Sequence, residues 1–105
     1  MKKYTVNFAP EAQEQLSSLY HYISVAASPT IAFNYTNSII AYCESLQEFP
    51  QRGTPRNDVR PGLRITNFKK RTVIAFVIHD DIVSILGIFY GGQDYETNLQ
   101  QDDDA

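Results

Sequence analysis

The sequence predicts an α+β domain in which an antiparallel sheet of about four strands carries an N-terminal αα-hairpin packed on one face. Three observations predict it. A short period-two run opens the chain, and two stretches follow with apolar residues at three- and four-residue steps. Then, beyond a loop rich in proline and glycine, come three strand-like runs separated by charged turns. The element order is β-α-α-β-β-β.

In residues 4–8, Tyr4, Val6 and Phe8 alternate with Thr5 and Asn7, which predicts a first strand. Pro10 then stands where a first helical residue belongs, and Glu11 and Glu14 oppose the positive end of the helix dipole. Ala12, Leu16, Leu19, Tyr20 and Ile23 form the stripe of a helix over residues 10–26. Ser28-Pro29 supplies an N-cap and an N1 proline for a second helix, whose stripe is Ala32, Tyr35, Ile39, Cys43 and Leu46 and which should end near Phe49, before Pro50. So short a link folds the two helices back on each other. Residues 50–62 hold three prolines and two glycines and read as one long loop. The runs 63–68, 72–79 and 82–90, turning at Lys69-Lys70 and Asp80-Asp81, read as an antiparallel meander.

Residues 73–78, VIAFVI, are apolar at every position, so both faces of that strand must be covered and it belongs in the middle of the sheet. The helix hairpin covers one face. The other needs loops, the C-terminal segment or a partner protein, and an apolar face left open marks an interaction site.

A chain of 105 residues suits one domain and buries roughly two-thirds of the surface exposed on unfolding. Residues 1–96 are read as that domain, and 97–105, ending in Asp102, Asp103 and Asp104, as an acidic disordered tail. The net charge of -3 argues against autonomous, sequence-specific binding of nucleic acid, although Arg52, Arg56, Arg60, Arg64, Lys69, Lys70 and Arg71 form a local basic stretch. With Cys43 as the single cysteine there is no intrachain disulfide and no zinc spacing. The N-terminus lacks the apolar stretch of a secretory signal, and no run reaches membrane-spanning length. A cytoplasmic protein is expected.

Three segments, in order and at matching spacing, carry a resemblance. Leu46-Gln47-Glu48-Phe49-Pro50-Gln51-Arg52-Gly53 closes the second helix, Arg60-Pro61-Gly62-Leu63-Arg64 opens a strand, and Ile85-Leu86-Gly87-Ile88-Phe89-Tyr90-Gly91-Gly92-Gln93-Asp94 forms the last strand and its exit. Together they resemble the ParE/RelE toxin superfamily over residues 3–95, and the ParE branch more than the RelE branch. The chain departs from that pattern at Tyr90, where histidine is common, and at Gly92-Gln93, where arginines are common.

The resemblance implies the toxin of a type II toxin–antitoxin system, needing no cofactor or metal and active in plasmid maintenance. Such a toxin inhibits DNA gyrase by protein–protein binding, and a ParD-like antitoxin neutralises it in a hetero-oligomer. Toxicity is then expected at Arg64 and at Tyr90, Gly91, Gly92, Gln93, Asp94 and Tyr95. The antitoxin is expected on Leu19, Tyr22, Ile23 and Tyr42 of the hairpin and on Val73, Ala75 and Val77 of the uncovered face. The alternatives are a RelE-like ribosome-dependent ribonuclease, with Arg64, Lys69, Arg71 and Tyr90 as its chemical groups, and a non-toxic relative that keeps antitoxin binding.

The residues themselves favour binding over bond-making chemistry. A tyrosine titrates near pH 10 unless strongly perturbed, and Tyr90 has no histidine beside it in sequence. His79 falls in a turn, His21 lies beside the helix stripe, and Cys43 lies on a buried stripe. Gly91-Gly92 reads as a turn off the sheet edge rather than a phosphate loop. Tyr22 and Tyr42 lie off the stripes and either meet a partner or pack beside the core.

Overall fold

The computed structural model describes residues 3–100. Strand β1 (Thr5–Phe8) leads into helices α1 (Pro10–Ala26) and α2 (Pro29–Glu44), followed by β2 (Thr54–Pro55), β3 (Leu63–Phe68), β4 (Thr72–His79), β5 (Ile82–Tyr90) and a short helix α3 (Tyr95–Leu99). Pro10 opens α1, and Ser28 caps α2 by accepting a hydrogen bond from the Ile31 N–H at 3.1 Å. The α-helical part of the second helix stops at Glu44 rather than near Phe49. A 3-10 turn over Ser45–Gln47 carries Leu46 into the core, and the Gln47 carbonyl accepts from the Tyr4 N–H at 2.9 Å, which ties the start of β1 to the end of the hairpin.

The sheet has five strands and is mixed, in the order β1-β5-β4-β3-β2. This corrects the expected four antiparallel strands in two ways. β1 lies parallel to β5, with Thr5 opposite Ile82 and Phe8 opposite Ile85. All the intervening chain acts as the crossover that parallel pairing requires. Within the expected loop, Thr54 and Pro55 pair antiparallel with Ile65 and Arg64. Two residues carry no periodicity, so such a strand leaves no pattern in the sequence.

β4 sits at the centre as expected. Its Ile74 and Phe76 face the hairpin with Ala12, Leu19, Ile23, Ala32, Ile39 and Cys43, and its Val73, Ala75 and Val77 face the other way. Thr36 is buried on the α2 stripe, where its hydroxyl donates to the Ala32 carbonyl at 2.9 Å and so meets its own polar need. Between β4 and β5 the register shifts: Ala75 pairs with Gly87 but Phe76 with Ile85, leaving Leu86 as an extra residue. This bulge changes the phase of β5. Val83, Ile85 and Ile88 enter the hairpin-side core, while Leu86 and Phe89 join the opposite cluster.

That opposite cluster answers the question left by VIAFVI. Val59 from the loop and Leu99 from α3, with Leu63 and Phe89, cover the face presented by Val73, Ala75 and Val77. The chain's own loop and C-terminal segment supply the cover. The boundary drawn after residue 96 is corrected accordingly: residues 97–99 belong to α3, and Leu99 is buried at 5% exposure. The Asp102–Asp104 part of the expected tail lies outside the described residues.

Candidate partner-binding site

Two constructions flank the sheet at the end where β5 leaves it. The first is an open groove of about 520 Å³ between α1 and the end of β5, with Leu19 at its base and Tyr22, Arg71, Tyr90 and Gln93 around it. The Tyr22 and Tyr90 ring centroids lie 6.2 Å apart, and Tyr90 meets Tyr35 edge-on at 5.9 Å. The row continues through Phe68, 6.2 Å from Tyr35, to Tyr42, 5.4 Å from Phe68. Two hydroxyl contacts anchor it to the sheet, Tyr35 to Thr72 at 2.7 Å and Tyr42 to Thr66 at 3.0 Å. Tilted and edge-on rings at these spacings attract beyond their buried area.

Cations border this row. The Lys69 ammonium lies 5.4 Å from the Phe68 ring centre and 5.9 Å from that of Tyr35, and the Arg52 guanidinium lies 5.3 Å from that of Tyr42. Lys69 and Lys70 turn the chain from β3 to β4 at φ 52° and 67°. That is left-handed backbone, which costs a residue with a Cβ about 1 kcal/mol. Arg71 is exposed, and its carbonyl accepts from the Gly91 N–H at 2.9 Å, placing the basic turn beside the exit of β5.

The second construction is centred on Arg56. Its guanidinium donates to both Asp58 oxygens at 2.9 Å, to Glu96 at 2.7 Å and to the Tyr95 hydroxyl at 2.7 Å. The Tyr95 ring packs on Phe89 at 6.2 Å. Asp94 caps α3, accepting from the Thr97 N–H at 3.2 Å and the Thr97 hydroxyl at 2.7 Å. Sequence reasoning missed this helix after Gly91-Gly92, because five residues carry too little periodicity to register.

Hydrogen bonds from Arg56 hold the Asp58 carboxyl below the usual carboxylate range, and those from the Thr97 side chain and backbone do the same for Asp94. Their folded pKa values lie below the unfolded ones, so this stabilisation is complete above the unfolded value and is lost as pH falls through the folded value. The docking of α3 is therefore expected to loosen below about pH 4 while the sheet persists. Hydrogen exchange at the Thr97 amide between pH 3 and pH 6, corrected for intrinsic rates, checks this; constant protection would contradict it.

The expected site residues do not all meet. Arg64 pairs with Phe76, which pairs with Ile85, whereas Tyr90 pairs with Thr72, which pairs with Phe68. Arg64 therefore lies four rungs along the ladder from Tyr90, and its Nε donates to the Arg52 carbonyl at 2.9 Å. Arg71 lines the groove with Tyr90, and Lys69 lies over the ring of Tyr35, which Tyr90 meets edge-on. Tyr90, Gly91 and Gln93 line the groove and Gly92 is exposed beside them, but Asp94 and Tyr95 are engaged in capping and docking α3. Of the hairpin residues, Leu19 and Ile23 belong to the core, Tyr22 is 60% exposed, and Tyr42 is half-buried against Thr66. Ala75 is fully buried, with Val73 and Val77 half-buried beside it, so the chain's own segments cover much of that face.

Burial, with Glu44 adding to it, pushes the Cys43 thiol up to about 12, which leaves it an inert core residue. Among the described residues no three or more His, Cys, Asp or Glu side chains gather as a metal site would require, and no helix is long and apolar enough to cross a membrane.

The family described as "ParE toxin of type II toxin-antitoxin system, parDE" matches residues 6–95. The chain belongs to the ParE toxin family. Among solved structures, a chain described as "Chromosomal ParDE TA system from P. aeruginosa" is similar with a TM-score of 0.74 and 20% identity, over 85% of this chain and 97% of that one. At that identity the likeness speaks to the fold. No curated protein matches significantly. In this ParE toxin the family match runs from β1 to the first residue of α3, so it takes in the groove and all of the Arg56 clamp except Glu96.

Proposed function

We propose that this ParE toxin inhibits DNA gyrase by protein–protein binding and is neutralised by a ParD-like antitoxin, with no bond-making step and no cofactor. It binds gyrase while the enzyme holds cleaved DNA, so that resealing fails and double-strand breaks persist. The observation that carries this reading is the open groove in which Tyr22, Tyr90 and Arg71 stand together. Tyrosine and arginine are the side chains that most often anchor protein interfaces. The contact is assigned to Tyr90, Gly91, Gly92 and Gln93 with Arg71 and Tyr22, while Arg64, Asp94 and Tyr95 serve the fold. A cytoplasmic site of action follows from the target.

The test combines purified protein, gyrase, ATP and supercoiled plasmid. Cleaved plasmid is expected to accumulate, and a Tyr90→Ala/Arg71→Ala double variant is expected to need roughly tenfold more protein for the same cleavage. In cells, the DNA-damage response should precede any fall in translation. Ribosome-dependent mRNA cleavage that disappears in Arg71→Ala, with gyrase untouched, would replace this reading with the ribonuclease one.

A further inference from the structure

The outer edge of β5 is only half covered. β1 pairs with it from Ile82 to Ile85, and the Ala9 N–H then closes the ladder on the Ile85 carbonyl at 2.9 Å before the chain turns into α1. Beyond that point, along residues 86–90, no strand among the described residues lies on that side. The N–H groups of Ile88 and Tyr90 are two residues apart and so point to the same side of the strand. Glutamine side chains hold both of them. Gln15 Oε1, from α1, accepts from Ile88 at 2.6 Å, and Gln93 Oε1 accepts from Tyr90 at 2.9 Å. Each amide oxygen stands where the carbonyl of a neighbouring strand would be, and both glutamines line the groove described above.

We propose that this groove takes an extended segment of the antitoxin, which displaces the Gln15 and Gln93 side chains and adds a strand beside residues 86–90. The proposal rests on the toxin–antitoxin reading and says where and how that pairing is made. An extended peptide suits the groove because its carbonyls repeat every second residue at about 6.8 Å, the spacing of the two N–H groups. The glutamines are neutral, so exchanging their hydrogen bonds for backbone ones costs little net free energy, unlike removing a charged or proline-blocked edge. Arg71 has no carboxylate partner among the described residues, and Tyr22 is 60% exposed, so an acidic and an apolar side chain on the segment would each find a complement. Filling the groove covers Tyr90 and Arg71, so the same event that binds the antitoxin removes the proposed gyrase contact.

The test is amide hydrogen exchange by NMR on the full-length toxin, alone and in complex with its ParD-like antitoxin. Exchange at Ile88 and Tyr90 is expected to slow by roughly tenfold or more in the complex. In parallel, Gln15→Ala, which uncovers the Ile88 N–H, is expected to tighten antitoxin affinity roughly threefold, and Gln15→Glu, whose carboxylate caps it more strongly, to weaken it by a similar factor. A complex that forms with exchange unchanged at both amides and with affinity indifferent to Gln15→Glu overturns the strand addition while leaving the toxin–antitoxin pairing intact. Absence of any complex overturns both. Protection that rises with toxin concentration alone assigns the edge to a second copy, and protection by a single-stranded oligonucleotide but not by the antitoxin assigns it to nucleic acid; either overturns the proposal.

Discussion

Replacing Phe76 with alanine is expected to lower the stability of the domain by about 4 kcal/mol, the largest effect of any single side chain in the sheet. Phe76 is fully buried on the central strand, where it meets the underside of the helix hairpin among Ile39, Leu46, Ile74 and Ile85. Deleting the ring loses its transfer free energy and also leaves a cavity that strands on both sides prevent from collapsing. For a domain of this size the loss corresponds to a fall in melting temperature on the order of 20 °C. Phe76→Leu keeps most of the volume and should retain most of the stability. Urea unfolding of both variants, followed by circular dichroism, measures the difference; an alanine variant within about 1 kcal/mol of the parent would show that the site relaxes, contrary to the packing described.

Gly53→Ala is expected to cost about 3 kcal/mol, for a different reason. Gly53 has φ 75°, and a Cβ there would overlap the backbone carbonyl of Ile65, which the pairing of Thr54 with Ile65 holds in place. The obstacle is backbone and cannot swing aside. Gly62, at φ 80°, has open space around the position of a Cβ, so Gly62→Ala should cost only about 1 kcal/mol, the conformational part alone. The gap between the two glycines in parallel melts isolates the steric effect, and equal losses would mean that β2 does not hold Gly53 against β3.

The candidate site was partly legible in the chain. The Tyr90 to Gln93 segment was marked by its place at the exit of the last strand, and Tyr22 by its position off the helical stripe; both line the groove. Gln15, Tyr35 and Phe68 carried no signal of a site. Gln15 matters because α1 passes beside a half-covered strand edge, and Tyr35 and Phe68 because α2 and β3 bring their rings within 6.2 Å of each other. Arg64 was grouped with Tyr90 on resemblance, but the strand register separates them by four rungs.

By itself the sequence determined what local physics can write into a linear pattern. Period-two and three-to-four-residue spacing marked β1, both hairpin helices and the three-strand meander; Ser28-Pro29 set the start of α2, and the unbroken apolar run VIAFVI placed β4 at the centre. The tertiary structure alone decided three things. β1 pairs parallel with β5, and two residues of a loop join the far edge, because strand partnership is a contact between distant segments that neither writes in its own spacing. Leu86 bulges and sends Phe89 to the opposite face from Ile88, a change of phase that depends on the partner strand's register. The second face of the sheet closes with Val59 and Leu99 from the chain itself, because Arg56, held by Asp58, draws α3 in through Glu96 and Tyr95, residues up to forty positions away whose meeting exists only once the chain is folded.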